Sequence, residues 1–299
     1  RRIGEKTRAK HIRFAGDEDL VDLVWKDRPA LSCEPLWELE AKFAGYTRAE
    51  KLQQVREKMA ELGADVFVIP ALDEIAWLLN LRGGDVLYTP VFLSYLLLER
   101  GKATLCVQKA AVSAEIEANL AADGVKLAPY DDIYALVAAL PQGTRVLLDG
   151  ERANYRITQS VGAGVETLDR PSPIQLMKAV KHPAEQENER LAHIRDGVAV
   201  TRFIYWLKHT VGNEPITEIS AAKKLESLRA EGEHFLDQSF EPILSYGAHG
   251  AIVHYAPTEE TDIPMEMHGF CLADTGAQYY EGTTDITRTI ALGALTEEE

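Results

Sequence analysis

The sequence predicts a mixed α/β unit followed by an α+β unit, and two observations support this fold class. Between residues 46 and 172, short β-branched runs alternate with segments of helical period, which is typical of an α/β structure. After residue 173, two long helical patterns precede a series of strand patterns separated by Gly, Pro and acidic turns. With 299 residues, 46% hydrophobic and 26% charged, the chain has the length and composition of about two globular domains.

The α/β unit begins with a helix whose two ends are marked in the sequence. Thr47 and Glu50 have the spacing of a capping box, and Gly63 lies where the helix would end. The elements predicted after it are a strand at 64–70, a helix at 72–80, strands at 91–100 and 103–108, helices at 113–124 and 131–141, and a strand at 145–150.

The α+β unit begins with two amphipathic helices. Residues 183–211 have positions that recur close to a helical period, at Leu191, Ile194, Val198, Thr201, Ile204, Tyr205 and Leu207 or Lys208, and a second helix is predicted at 216–232. The strands predicted after these helices lie at 240–247, 251–256, 269–279 and 283–292.

Charge, hydropathy and cysteine content exclude several classes of function. The net charge of -15 argues against a nucleic-acid partner, because neutralising phosphates requires a basic surface. The apolar runs are too short for a membrane span, so no membrane association is expected. The three cysteines are too scattered for a disulfide framework or a zinc cluster, and they suit a reducing, cytoplasmic compartment.

Two aspartates mark the candidate site. Asp274 opens the tripeptide Asp-Thr-Gly, and Asp285 follows eleven residues later. The two positions are symmetric about a hairpin midpoint between Tyr279 and Tyr280, which predicts facing carboxylates with Cβ atoms roughly 4.5–5.5 Å apart. Their repulsion would be about 3 kcal/mol at an effective dielectric constant near 20. A shared proton, a bound cation or an ordinary solvated hairpin could each accommodate such a pair.

The shared-proton hypothesis, that of an aspartic protease, is weak. A single-chain enzyme of that kind needs two such loops, and the sequence has no second Asp-Thr-Gly or Asp-Ser-Gly. The long helical patterns also disagree with an all-β protease. Paired carboxylates suit Mn, Mg or Ca, and the neighbouring threonines could orient them.

Two histidines precede the aspartates. His254 lies in the strand pattern at 251–256, where a lone histidine is more often a core or edge residue than a functional one. His249 lies between two glycines, which is typical of a turn, and no role is assigned to it.

The stretch "HYAP" at 254–257, followed by "DTGAQYYEGTTDITRT" at 274–289, resembles the catalytic domain of the cytosolic aminopeptidase P, or Xaa-Pro aminopeptidase, branch of the creatinase and methionine-aminopeptidase superfamily. The catalytic domain of that superfamily has the "pita-bread" fold. Similar segments extend over nearly the whole chain, at 25–29 ("WKDRP"), 71–86, 90–98, 178–185 and 217–226.

The resemblance implies an activity and a set of site residues. It implies a metallopeptidase that removes the first residue of peptides with proline in second position, using water activated by two divalent metal ions, most consistent with manganese. Asp274 and Asp285 correspond to metal ligands, with Asp285 bridging the ions. His254 corresponds to a catalytic histidine that binds substrate and stabilises the tetrahedral intermediate. A homodimer in the cytoplasm is implied too.

The same resemblance implies three segments. Residues 1–45 would be the end of a first domain plus a linker, 46–172 a creatinase-like α/β domain, and 173–299 the N-terminal part of the pita-bread domain. The chain starts without Met and stops soon after a strand pattern, so we expect a piece of a longer protein. The family's remaining ligands would lie beyond Glu299, and the isolated chain is expected to be inactive. A prolidase-type dipeptidase and a metal-free binding module of the same fold remain alternatives.

Overall fold

The computed structural model describes residues 11–12, 18 and 20–298 of the chain. The helices are α1 (Leu20–Val24), α2 (Ala41–Ala44), α3 (Arg48–Glu61), α4 (Leu72–Leu79), α5 (Ala114–Ala122), α6 (Asp132–Ala138), α7 (Tyr155–Ser160), α8 (Pro173–Ala179), α9 (Pro183–Thr210) and α10 (Glu218–Ala230), with 3₁₀ turns at Lys109–Ala111 and Gly247–Ala251. The strands are β1 (Trp37–Glu38), β2 (Val66–Ile69), β3 (Leu81–Arg82), β4 (Ser94–Glu99), β5 (Ala103–Val107), β6 (Val125–Ala128), β7 (Arg145–Leu148), β8 (Glu166–Asp169), β9 (Phe235–Gln238), β10 (Ile243–Tyr246), β11 (Phe270–Thr275), β12 (Ala277–Tyr279) and β13 (Ile286–Ala291).

The chain divides into two compact units. The first contains the described residues up to Glu38, together with Tyr46–Asp85 and Val91–Val180. The second contains Leu39–Gly45, Val86–Pro90 and the residues from Lys181 onwards. The predicted ends of the three segments, at residues 45 and 172, stay a prediction.

The first unit is the predicted mixed α/β structure. Its six-stranded sheet has the order β6-β5-β4-β2-β7-β8. β2 pairs antiparallel with β4 and parallel with β7, so the sheet is mixed. The capping box of α3 forms as predicted: Glu50 N donates to Thr47 Oγ1 at 3.3 Å, and Thr47 N donates to Glu50 Oε2 at 2.8 Å.

Both faces of this sheet are buried. Val66 and Val68 of β2 belong to one apolar cluster, whereas Phe67 and Ile69 belong to the other. Alternate side chains of a strand point to opposite faces, so an uninterrupted apolar run is what a strand covered on both sides requires. The helices predicted at 72–80, 113–124 and 131–141 are confirmed as α4, α5 and α6.

The second unit is the predicted α+β structure. A three-stranded antiparallel sheet has the order β10-β11-β13, and β12 pairs with β9 in a separate two-stranded sheet. α9 and α10 contribute residues to the same apolar cluster as these strands, including Phe203, Leu225, Leu244 and Ile290. Fold class is therefore confirmed for both units.

The long helix α9 forms as predicted, but its buried face matches the predicted pattern only in part: Leu207 is buried and Ile204 packs against the core. Leu191, Ile194, Val198 and Tyr205 are exposed, and Tyr205 keeps 66% of its surface accessible. The side of α9 that is buried instead carries Ala192, Asp196, Ala199, Val200, Phe203 and Leu207. Asp196 and the small side chains of Ala192 and Ala199 therefore face the interior at positions that the pattern did not include.

One predicted strand is wrong. Residues 251–256 were expected to be extended, but the structure has the end of a 3₁₀ turn followed by a bend and a turn, with Ile252 and Val253 exposed. Among the residues that the structure describes, no helix is both long enough and apolar enough to cross a membrane.

Candidate metal centre

Asp274 lies on the central strand of the second unit. β11 alternates between half-buried and buried positions, and Asp274 lies on the more accessible face between Ala273 and Thr275. It is paired with Thr287 across the ladder to β13. The Thr287 hydroxyl donates to Asp274 Oδ1 at 2.7 Å, so a threonine orients this carboxylate, as the threonine-rich sequence suggested.

The register of the hairpin differs from the predicted one. Asp274 pairs with Thr287, two residues beyond Asp285, and β13 begins at Ile286. Tyr279 N donates to Gly282 O at 2.9 Å, so the hairpin midpoint lies between Tyr280 and Glu281, one residue later than expected. The prediction that Asp274 and Asp285 are direct cross-strand partners is therefore wrong.

The two carboxylates nevertheless share one face of the hairpin as diagonal neighbours. Diagonal positions of an antiparallel pair lie roughly 7–8 Å apart. Repulsion between two unit charges at that separation is about 2 kcal/mol at an effective dielectric constant near 20, less than for facing residues. Asp285 is exposed and Asp274 half-exposed, so both carboxylates are accessible to a cation.

The opposite face of the hairpin is held by a buried ion pair. Asp196 of α9 and Arg229 of α10 both have 0% side-chain exposure, and Arg229 Nε donates to Asp196 Oδ1 at 2.7 Å. Arg229 also donates to Gly276 O at 3.0 Å and to Thr275 Oγ1 at 3.1 Å. The Thr284 hydroxyl donates to Asp196 Oδ2 at 2.6 Å. The residues next to both aspartates are thereby tied to two helices.

A second charged cluster holds the tip of the hairpin. Arg195 Nη1 donates to Glu281 Oε1 at 2.6 Å, and His234 Nδ1 lies 2.6 Å from the same oxygen. Glu281 is almost fully buried, with 3% of its side chain accessible. Beside it, burial raises the pKa of the Tyr279 hydroxyl, which donates to Asp196 at 3.4 Å. Sequence patterns did not single out Arg195, Asp196, Arg229 or Glu281.

His254 lies on the segment between β10 and β11, not in a strand. It is exposed, and its φ of +58° is in the left-handed region. Few residues other than glycine adopt that conformation without support from surrounding structure. The structure therefore brings Asp274 and Asp285 together on one hairpin, while His254 is carried by the turn after β10.

Glu218 anchors the segment that carries His254. It is fully buried at the start of α10 and accepts a hydrogen bond from Tyr246 N at 2.7 Å. His249 Nδ1 lies 3.0 Å from Glu218 Oε1, and the Tyr255 hydroxyl donates to Glu218 Oε2 at 3.3 Å. His249, to which the sequence pattern assigned no role, thus contributes to a contact that fixes this segment. An acid in the first turn of a helix is common, so no signal distinguished Glu218.

The donor chemistry fits part of a divalent-metal site. Two accessible carboxylates on one face are oxygen ligands of the kind that Mn and Mg prefer. Among residues 11–12, 18 and 20–298, no group of three or more His, Cys, Asp and Glu side chains could hold a metal ion. Asp274 and Asp285 therefore fit the ligand set in kind but not in number.

A groove on the outside of the second unit is separate from these residues. It has a volume of about 540 Å³ and is lined by residues of α9 and α10, among them Tyr205, Trp206, His209 and Lys224. None of Asp274, Asp285 and His254 lines it.

Two protein families match the chain, one for each part. The Creatinase/Prolidase N-terminal domain matches residues 27–185, which is more than half of the chain. The chain belongs to the creatinase/prolidase family. Metallopeptidase family M24 matches residues 187–299, the part that contains both aspartates and His254.

Relatives of this family member include Xaa-Pro aminopeptidases. A probable Xaa-Pro aminopeptidase P of Sordaria macrospora is 37% identical over 294 residues, covering 94% of this chain and 48% of the relative. Xaa-Pro aminopeptidase 1 of Dictyostelium discoideum is 37% identical over 306 residues, covering 98% of this chain and 48% of the relative. The chain therefore spans about half the length of the curated relatives it matches.

A solved structure has a similar fold over the part that it shares with this chain. The crystal structure of an X-prolyl aminopeptidase from Caenorhabditis elegans, described as a cytosolic enzyme with a di-nuclear active site, covers 99% of this chain and 50% of its own, with a TM-score of 0.92 and 30% identity. A prolidase from Pyrococcus horikoshii covers 83% of this chain and 67% of its own at a TM-score of 0.60; its 20% identity shows likeness of fold alone.

Proposed function

We propose that this chain serves a metal-dependent aminopeptidase that releases the N-terminal residue from peptides with proline in second position. The observation that carries the proposal is the pair of accessible carboxylates, Asp274 and Asp285, on one face of the β11–β13 hairpin. This pair lies in the region that matches metallopeptidase family M24. Relatives named as Xaa-Pro aminopeptidases, at 36–38% identity, support the substrate class.

Asp274 and Asp285 are the residues that we propose would hold the metal ions. When bound, two divalent ions supply Lewis acidity toward the scissile carbonyl and activate water near neutral pH. The chain itself holds the two carboxylates on one face of the hairpin, and the Thr287 hydroxyl fixes the direction of the Asp274 carboxylate. Because the described residues offer two ligands and no third, we expect the isolated chain to bind metal weakly and to be inactive.

His254 is proposed to bind substrate and to act in catalysis. Its exposed imidazole is free to donate a hydrogen bond to the carbonyl of the bond being cut, where negative charge develops. The Glu218–His249 contact restricts the segment that carries it. Proline in second position has no amide N–H and a fixed φ, so positioning by side chains replaces the strand-like main-chain pairing that other peptidases use.

We also propose manganese as the metal, the cytoplasm as the compartment and a homodimer as the assembly. Carboxylate donors suit manganese. The three cysteines are free, which agrees with a reducing compartment, and the relative from C. elegans is described as cytosolic. The homodimer rests on family resemblance alone. No observation favours the prolidase-type dipeptidase or the metal-free binding module.

Paramagnetic Mn²⁺ tests the ligand roles in the 299-residue chain itself. We expect Mn²⁺ to broaden the amide NMR signals of residues near Asp274 and Asp285. Asp274→Asn and Asp285→Asn should each abolish this broadening. Asp237→Asn, which alters another exposed aspartate of the same unit, is the matched control and should leave it unchanged.

Two results would refute this proposal. One is broadening that persists unchanged in both ligand variants. The other is broadening that is equally sensitive to Asp237→Asn, which would indicate general attraction of cations to an acidic protein. In parallel, hydrolysis of an Xaa-Pro tripeptide by the Mn²⁺-loaded chain is expected to stay at background, and turnover would contradict the incompleteness of the ligand set.

A further inference from the structure

Asp274 and Asp285 are held in place by residues on the opposite face of the hairpin, which do not reach the surface that carries the two carboxylates. Along β11, Thr275 points away from the face that carries Asp274, and it is buried with 1% exposure. Thr284, which immediately precedes the exposed Asp285, is fully buried. Side chains alternate across a strand, so fixing the inward threonine of each arm also fixes the direction of the neighbouring aspartate.

The hydroxyl groups of the two buried threonines, Thr275 and Thr284, both contact the same buried ion pair. Arg229 donates to Thr275 Oγ1 on one arm, and Asp196 accepts from Thr284 Oγ1 on the other. Asp196 and Arg229 are joined by two hydrogen bonds, Nε to Oδ1 at 2.7 Å and Nη2 to Oδ2 at 3.1 Å. The two arms of the hairpin are therefore linked through one planar, bidentate unit whose geometry allows little variation.

Stability alone is a poor explanation for this ion pair. Removing two charges from water is costly, and replacing buried pairs by apolar residues is often neutral or stabilising. Asp196 and Arg229 together carry no net charge, so they add little to the field at the carboxylates. What they do supply is a fixed distance between the two arms, set by donors and acceptors that satisfy one another.

Ser239 and the close packing around Gly276 restrict movement of the two arms of the hairpin. Ser239 N donates to Gly276 O at 3.1 Å, and Ser239 Oγ donates to Thr284 O at 2.9 Å. A Cβ added at Gly276 would fall closer than 3.0 Å to both Ser239 Oγ and Thr284 O. The hairpin is thus clamped between the ion pair and Ser239.

We infer that Asp196 and Arg229 are positioning residues that set the separation and direction of the Asp274 and Asp285 carboxylates for divalent-cation binding. The inference rests on the proposed function, since it assumes that these two aspartates bind a cation. Asp196 and Arg229 do not contact the cation themselves and act through the threonines next to the ligands.

Hydroxyl deletions test the inference in the 299-residue chain. Thr284→Val removes the contact to Asp196, and Thr275→Val removes the contact to Arg229, each with little change in side-chain shape. We expect each to raise the Mn²⁺ concentration at half-maximal broadening by about 10-fold, the effect typical of losing a partner that orients a metal ligand. Thr284→Ser and Thr275→Ser keep the hydroxyls and should restore the native midpoint.

A stability-matched control separates positioning from general destabilisation. Leu225→Ala opens a cavity in the α10 core of the same unit and should lower the thermal midpoint without moving the Mn²⁺ midpoint. Native Mn²⁺ midpoints in both folded valine variants would overturn the inference and leave the proposed function intact. A shift in Leu225→Ala as large as in the valine variants would also overturn it. Absence of Mn²⁺ broadening in the native chain would overturn the proposed function and, with it, this inference.

Discussion

Gly276→Ala is predicted to destabilise the hairpin that carries the candidate ligands. The added methyl group would fall closer than 3.0 Å to Ser239 Oγ and Thr284 O and within 3.0 Å of Phe240 Cε1. One of these atoms is a main-chain carbonyl in the opposite arm, so a side-chain rotation cannot relieve the overlap. The arms must separate by roughly 1 Å to regain van der Waals distance.

The magnitude follows from three terms. Overpacking of a close-packed site costs about 1–3 kcal/mol. Loss of the Ser239–Thr284 hydrogen bond adds about 1 kcal/mol. Alanine also reduces the flexibility of the unfolded chain, which offsets about 0.5–1 kcal/mol of this loss of stability. We therefore expect Gly276→Ala to lower the free energy of unfolding by about 1–3.5 kcal/mol.

Urea unfolding and amide hydrogen exchange provide the assay. Exchange in β11 and β13 should accelerate in Gly276→Ala, because the arms separate locally. Gly197→Ala is the matched control: Gly197 lies inside α9 with no atom within 4 Å of an added Cβ, so this variant should be about 0.5–1 kcal/mol more stable than the native chain. A Gly276→Ala variant within about 0.5 kcal/mol of native stability would refute the clamping of the hairpin.

Three further predictions concern the first unit and the thiols. Burial raises the pKa of Glu74 above its ordinary value of 4.5, so the folded state keeps this proton to higher pH than the unfolded chain, and the free energy of unfolding falls as pH rises through the shifted pKa. Glu74→Gln should therefore stabilise the protein more at pH 7 than at pH 4 in urea titrations, and an equal effect at both pH values would contradict this. Burial raises the pKa of Cys106 and of Cys271 to about 12, so a thiol reagent at pH 8 should modify Cys33 alone in the native chain and all three cysteines in denaturant. The Lys51 ammonium is buried and donates to Trp77 O near the end of α4 and to Asn80 Oδ1. Lys51→Met should therefore lower the free energy of unfolding by about 2 kcal/mol in urea titrations. An unchanged free energy of unfolding would show that the cost of burying the charge cancels the gain from its hydrogen bonds.

Elements defined by local signals could be predicted from the sequence. The start of α3 is set by the hydrogen bonds between Thr47 and Glu50, and β2 follows from a short apolar run with β-branched residues that is buried on both faces. Both kinds of signal depend on residues a few positions apart. The fold class could be predicted because it depends on the type and order of elements that have such local signals.

Elements that depend on a distant partner could not be predicted this way. The apolar alternation at 251–256 is compatible with a strand, but the segment instead turns around the buried Glu218, which lies 31 residues away from His249. The burial of Asp196 on α9 depends on Arg229 of α10 and on Thr284 of the hairpin. An argument from helical periodicity treats Asp196 as polar and therefore predicts that it faces solvent. Periodicity carries no information about the ion pair that accompanies its burial.

The candidate site shows the same division between local and distant causes. The spacing of Asp274 and Asp285 left a solvated hairpin, a shared proton and a bound cation open, and the resemblance to a known family selected the bound cation. Neither gave the register, since symmetry places the turn at the midpoint of the spacing. The structure places the turn one residue later, at Tyr280 and Glu281. Glu281 is fixed there by Arg195, 86 residues earlier in the chain.

That displacement changes the electrostatics of the aspartate pair. Facing carboxylates would repel by about 3 kcal/mol and would favour either a shared proton or a tightly bridging ion, whereas diagonal ones repel by about 2 kcal/mol. The weaker repulsion needs less compensation from a cation, so groups of the protein can fix the directions of the two carboxylates. The Asp196–Arg229 pair and the Thr287 hydroxyl supply those constraints from the protein side. A hairpin ordered in this way before any cation arrives loses less conformational entropy on binding, which favours affinity even from a partial ligand set.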